Sequence, residues 1–311
     1  MKTYLECIPC FFRQALDGAR KTGAAPKVQK KIMDEFARII PHVSLRSTPP
    51  EIARLGYALL RKLSRNPDPY KEIKQKSNRL ALAMHGKLRR KVSGSRNKLL
   101  TAVELAIAGN IIDFGVKNNL DVDTELRRIL AKEERYARRK DLFHYREFKS
   151  ALQAARTVLY LGDNAGEVVF DRVLIEEIKR RDPKKQIFFA VKEKPIINDV
   201  LREDARESGI DRYATIISNG SDAPGTILRF CSSAFKRIYR KADMVISKGQ
   251  GNFESLSRAR RPIFFLFMVK CPVVERETGA KRGDIVLLSN QKTHGRISIA
   301  HVSSKNTAKK V

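Results

Sequence analysis

Val158-Leu-Tyr-Leu-Gly-Asp-Asn-Ala-Gly-Glu-Val-Val-Phe-Asp-Arg-Val-Leu-Ile-Glu-Glu-Ile178 changes its periodicity part-way along. Val158 to Leu161 is a short apolar run, as expected of a buried strand. Further on, Val169, Val173, Leu174 and Ile178 recur at helical spacing, with Asp171, Glu176 and Glu177 off that face. Gly162-Asp-Asn-Ala-Gly-Glu167 lies between the two patterns. Glycine lets a backbone turn sharply and approach a ligand closely. Asp163 and Asn164 therefore stand at the carboxyl end of a strand, the edge where open α/β sheets bind ligands. A carboxylate beside an amide oxygen makes a hard donor pair, suited to magnesium or manganese. Asp163 reads equally as a cap on the following helix.

Downstream the alternation continues. Strands are predicted at Gln186–Val191, Tyr213–Ser218, Asp243–Ser247 and Pro262–Val269, and helices at Pro195 to about Ser208, Thr226–Lys241 and Asn252–Ser257. Gly283–Leu288 and Gly295–His301 read as closing strands around a turn at Asn290. Apolar strands separated by helices imply a mostly parallel sheet covered on both faces, a three-layer αβα, Rossmann-like fold. Upstream, residues 4–145 contain no convincing strand. Helical patterns run over Cys10–Ala19, Lys27–Ile40, Glu51–Leu63, Tyr70–Met84, Leu99–Gly109, Val122–Tyr136 and Phe143–Ala155. The expected organisation is an all-helical domain over 1–150, an α/β metal-binding domain over 151–302 and a flexible basic tail over 303–311.

In such a sheet the connections leaving the carboxyl ends of the parallel strands share one edge. They are Gly162–Glu167, Lys192–Asp199, Ser218–Gly225, Ser247–Glu254 and Lys270–Pro272, each polar and rich in Gly or Pro. The opposite connections, such as Arg180–Lys184 and Gly209–Arg212, are ordinary surface turns. This asymmetry points to a site. Asp163, Asn164 and Asp199 would supply three oxygen ligands to one divalent cation. Lys248 and Lys270 would supply positive charge, and Gly249 and Gly251 backbone N–H groups, where phosphoryl oxygens lie. The chain lacks the Gly-x-Gly-x-x-Gly and Gly-x-x-x-x-Gly-Lys-Ser/Thr loops of dinucleotide- and P-loop nucleotide-binding proteins.

The chain has 311 residues, 42% of them hydrophobic, enough for a substantial core. No run approaches the ~20 apolar residues of a bilayer span. Met1–Cys7 lacks the apolar core of a secretory signal, so a cytoplasmic protein is the expectation. Of four cysteines, Cys7 and Cys10 form a Cys-x-x-Cys pair, and Cys231 and Cys271 stand apart. One such pair is half of a structural zinc site, and buried packing is the competing reading. Sixty-three Lys and Arg against 34 Asp and Glu give a formal net charge of +29. That excess favours anionic partners, nucleic acid included. Thirteen basic and two acidic residues fall within 61–98, but aromatics for stacking bases are nearly absent there.

Several motifs, in order, resemble the damage-control phosphatases, a metal-dependent family also called domain of unknown function 89. They are Glu6-Cys-Ile-Pro-Cys10 with Arg13-Gln-Ala, Ala108-Gly-Asn-Ile-Ile-Asp-Phe-Gly115, Leu161–Glu167, Val191–Asp199, Ser218-Asn-Gly220, Asp243–Glu254 and Lys270-Cys-Pro272. The paired cysteines and the Gly-Asn-Ile-Ile-Asp motif are similar to the prokaryotic branch. Of the Arg-Thr-x-Lys motif of larger eukaryotic members, only Lys270 is present, after Met268-Val. The resemblance implies a divalent metal (Mg, Mn, Co or Ni) on Asp163, Asn164 and Asp199. It also implies hydrolysis of phosphate monoesters of small metabolites, such as damaged or side-product sugar phosphates. Members have also been described as protein carboxyl methyltransferases, and a non-enzymatic nucleic-acid-binding protein is the reading from charge alone.

Candidate substrate- or phosphate-binding residues are Asn110, Asp113, Glu167, Ser218, Asn219, Lys248, Gly249, Asn252 and Lys270. Asn110 and Asp113, three apart at a helix end, share a face and either close the site or finish the helix. Glu167 either bonds metal-bound water or favours the helix N-terminus electrostatically.

Overall fold

The computed structural model describes residues 1–109 and 141–291. Five parallel strands form the sheet: β1 Thr157–Leu161, β2 Gln186–Val191, β3 Thr215–Ser218, β4 Met244–Lys248 and β5 Phe264–Met268. A sixth, β6 Ile285–Ser289, runs antiparallel to β5. The spatial order is β3-β2-β1-β4-β5-β6. The chain winds outward from β1 to one side and from β4 to the other. The gap between the carboxyl ends of β1 and β4 is therefore the switch point at which such sheets open a crevice.

The helices upstream of the sheet are α1 Cys7–Lys21, α2 Pro26–Ile39, α3 Pro49–Ser64, α4 Lys71–Gly94, α5 Lys98–Ala108 and α6 Tyr145–Ala154. Those interleaved with it are α7 Glu167–Arg181, α8 Arg202–Glu207, α9 Ser233–Lys241, α10 Gln250–Leu256 and α11 Pro272–Thr278. Side chains alternate across a strand, and β1 shows which helices lie on which face. Val158 and Tyr160 join an apolar cluster with Met84 and Leu88 of α4, Leu105 of α5, Phe148 of α6 and Phe170 of α7. Leu159 and Leu161 join another with Phe11 of α1, Phe36 of α2, Phe235 of α9 and Val273 of α11. Each large apolar side chain so enclosed contributes about 1.5–3 kcal/mol relative to exposure. Among the described residues, no break in this packing falls near residue 150: the upstream helices form layers on both faces of the sheet.

The predicted helix from Pro195 to Ser208 is shorter than expected. Only Arg202–Glu207 is α-helical, and Ile197 has φ +47°. A β-branched residue in that region is strained by about 1–3 kcal/mol. Tertiary contacts hold it there: Val200 N–H donates to Asp163 O (2.8 Å), Ala165 N–H donates to Asn198 O (2.9 Å), and Asn164 and Asp199 form an isolated antiparallel bridge. The predicted helix over Thr226–Lys241 begins instead at Ser233, with Ser232 Oγ accepting from Phe235 N–H. Helix α11, unanticipated, starts at Pro272, whose missing N–H costs nothing at a helix start. The helix expected at Val122–Tyr136, the strand at Gly295–His301 and the 303–311 tail lie outside the described residues.

Candidate active site

Two connections, one after β1 and one after β2, meet at the carboxyl edge of the sheet. The bridge between Asn164 and Asp199 brings Asp163, Asn164 and Asp199 together on the floor of a cavity of about 590 Å³. Its walls come from α1, the start of α3, the connection around Gly225, the start of α10, and Lys270 with α11. Asn164 Nδ2 donates to Asp163 Oδ2 (2.7 Å) and to Glu167 Oε2 (3.3 Å). Gly249, after β4, has φ +81°, and a Cβ there would lie 2.0 Å from Asp163 Oδ2. Glycine at 249 is thus what leaves room for the Asp163 carboxylate.

The floor is rich in negative charge. Burial, then the charges of Glu167 and Asp199, push Asp163 up to about 8, against the pull of Lys270 and Lys192. Burial likewise pushes Asp199 up to about 6, opposed chiefly by Lys192. The Lys192 ammonium is 3.4 Å from Asp199 Oδ2 and donates its hydrogen bond to Gly225 O. Asp199 Oδ2 is buried and ion-paired with Lys192, yet accepts no hydrogen bond of good geometry. Crowded carboxylates and an orphaned carboxylate oxygen are the surroundings a hard divalent cation relieves. Among the described residues, no three His, Cys, Asp or Glu side chains are placed to hold a metal ion. A centre here counts the Asn164 amide as its third ligand. The amide orientation that presents nitrogen to the carboxylates is the one suited to the metal-free site, and its flip presents oxygen.

Lys248 departs from expectation. Its ammonium is fully buried in the core and faces away from the cavity lining. It donates to Glu167 Oε1 (2.6 Å), to Asp171 Oδ1 and to Ala106 O (2.7 Å). Burial opposes its charge, but Asp171 and Glu167 outweigh burial and raise its pKa. Asp171, pushed up to about 6 by burial, also accepts from Tyr160 OH (2.7 Å). A lysine with three buried acceptors is a structural cation, not a phosphate clamp. Glu167 belongs to the same network, 1% exposed, with its carboxylate bridging Lys248 and Asn164.

The other expected phosphate contacts are also occupied. Gly249 N–H donates to Leu266 O (3.1 Å). Asn252 Nδ2 donates to Lys248 O (2.8 Å) and Gly162 O (3.2 Å), tying α10 to the Asp163 turn. Ser218 Oγ donates to the Glu193 carboxylate and accepts from Gly220 N–H (2.9 Å). Asn219, 2% exposed, accepts from Ser221 N–H (2.8 Å) through Oδ1. These residues shape loops around the floor, whereas Lys270 is exposed and lines the cavity, as do Gly251, Cys7 and Cys10. Asn110 and Asp113 lie outside the described residues.

Two residues that support the floor went unassigned in the sequence. Lys192 is the cation beside Asp199, visible only as one of several charges in its loop. Asn78, fully buried on α4, accepts from Gly166 N–H through Oδ1 (2.8 Å) and donates to Asp204 Oδ1 (2.9 Å).

The model of the damage-control phosphatase ARMT1-like domain matches residues 3–286. An uncharacterised protein of Methanocaldococcus jannaschii is 36% identical over 91% of this chain and 94% of its own. A damage-control phosphatase of Pyrococcus horikoshii is 34% identical over 94% of this chain and 99% of its own. One from Archaeoglobus fulgidus is 36% identical over 70% of this chain and 75% of its own. The crystal structure of a domain of unknown function 89 protein from Pyrococcus horikoshii superposes with a TM-score of 0.85 at 31% identity, covering 94% of this chain and all of that one. The chain belongs to the ARMT1-like damage-control phosphatase family.

Proposed function

We propose that this chain is a divalent-metal-dependent phosphatase acting on phosphate monoesters of small metabolites, damaged or side-product sugar phosphates among them. The observation that carries the reading is the convergence of Asp163, Asn164 and Asp199, from two separate connections, on the floor of one cavity. Two relatives named damage-control phosphatases support it. Asp163, Asn164 and Asp199 would hold the cation, for which Mg, Mn, Co and Ni all suit an oxygen-rich set. When bound, it supplies Lewis-acid charge to the phosphoryl group and to the attacking oxygen.

The protein's own groups then have distinct tasks. Lys270, exposed on the cavity wall, neutralises phosphoryl oxygens as charge shifts to the leaving group. Lys192 holds Asp199 in place from the buried side. Lys248, through Glu167, orients the Asn164 amide. Phosphoryl transfer asks mainly for positioning and charge neutralisation, so this set suffices.

Asp163→Ala and Asp199→Ala should each lower metal-dependent hydrolysis of p-nitrophenyl phosphate by about a thousandfold or more, with circular dichroism of the variants unchanged. Full turnover in both variants would defeat the assignment.

A further inference from the structure

Away from its carboxylate floor, the cavity carries cations that the described structure leaves unpaired. Arg13 on α1 and Arg282, in the connection leading to β6, both line it and both are exposed. Among the described residues, no carboxylate lies within ion-pair distance of either guanidinium. The neighbouring acids are engaged elsewhere. Glu6 pairs with Arg276 Nη1 (2.7 Å), and Glu254 Oε1 accepts from Gln250 Nε2 (2.8 Å). Arginines elsewhere around the site are committed as well: Arg54 and Arg61 to Asp222, Arg229 to Glu51. Lys270 and Lys192 are the cations that draw on the Asp163 carboxylate. Arg13 and Arg282 stand on elements that supply none of the floor carboxylates.

A single phosphoryl group needs only the floor and Lys270. A cavity of about 590 Å³ holds a larger molecule, and two unpaired guanidinium groups on its wall are forked donors that match phosphate or carboxylate oxygens. We propose that the preferred substrates carry a second anionic group, phosphoryl or carboxylate, at the end remote from the scissile ester, and that Arg13 and Arg282 bind it. This rests on the phosphatase reading above and refines it: phosphorylated sugars and sugar acids with two anionic ends are favoured over singly charged monoesters.

Three substrates of nearly the same size separate the possibilities: glucose 6-phosphate, glucose 1,6-bisphosphate and 6-phosphogluconate. Initial rates are measured on the full chain with the most activating divalent cation. The expected result is a kcat/KM about tenfold or more higher for at least one of the two doubly anionic substrates, carried by KM. A gain for the bisphosphate alone assigns the wall to phosphate; a gain for both assigns it to any anionic fork. Arg13→Gln and Arg282→Gln should collapse that selectivity towards unity by raising KM for the doubly anionic substrates. Equal kcat/KM for all three substrates would overturn the proposal. So would Arg13→Gln and Arg282→Gln variants, folded by circular dichroism, that keep the parent's selectivity. Absence of p-nitrophenyl phosphate turnover with every cation would instead remove the phosphatase reading, and this proposal with it.

Discussion

Two clusters of buried charge lie side by side in this protein and are built on opposite rules. Around Lys248, one ammonium meets two carboxylates and a carbonyl, and Tyr160 OH completes Asp171. Around Asp163 and Asp199, Lys192 pairs with Asp199 at 3.4 Å and donates to Gly225 O, Lys270 draws on Asp163 from the cavity wall, and Asp199 Oδ2 is left without a hydrogen bond. The first cluster is closed: its ammonium and both carboxylates find hydrogen-bond partners within the protein. The second lines a cavity and leaves a carboxylate oxygen unsatisfied, surroundings expected where a ligand binds.

Removing one charge from each cluster tests the contrast most directly. Lys248→Met strands two buried carboxylates and should destabilise the fold by about 3–5 kcal/mol, read from denaturant midpoints. Asp163→Asn, in metal-free buffer at neutral pH, should leave stability equal or higher. Equal losses for both would mean the clusters are not different in kind. Gly249→Ala comes next. It adds a methyl group where Asp163 Oδ2 lies and puts alanine at φ +81°. The strain alone is about 1–3 kcal/mol, and calorimetric affinity for a divalent cation should fall with it.

A further test concerns pH. In the metal-free fold Asp163 keeps its proton up to about 8, whereas the unfolded chain releases it near 3.8. The folded state is therefore favoured by the protonated form, fully below the unfolded value. That contribution is lost as pH rises through the window to about 8. The stability gap between Asp163→Asn and the parent should widen in the variant's favour across this window with chelator present. A saturating divalent cation should close or reverse it. A gap that does not change with pH would show that Asp163 is already compensated.

The fold was legible because its signals are local. The apolar run at Val158–Leu161 and the helical spacing after Val169 decide β1 and α7 without any knowledge of partners. The Gly162–Glu167 turn was legible for the same reason. Asp199 was legible as a loop carboxylate, but the conformation that delivers it was not. Its helical-looking surroundings are overridden by bonds to the turn after β1, with Ile197 bent to suit. Lys248 was misjudged because it sits where strand becomes loop. Sequence cannot tell whether the last side chain of a strand turns to the cavity or to the core, and here two buried carboxylates on α7 draw it inward. Asn78 was hidden for a further reason: on a helix crowded with lysine and arginine, one inward polar residue leaves no trace in the pattern.

Asn78 also governs how the cavity can deform. One side chain of α4 grips the turn after β1 and the helix that follows the Asp199 connection. Sliding α4 along the sheet would break or strain both of these bonds, so the helical layer and the carriers of both carboxylates are tied through one amide.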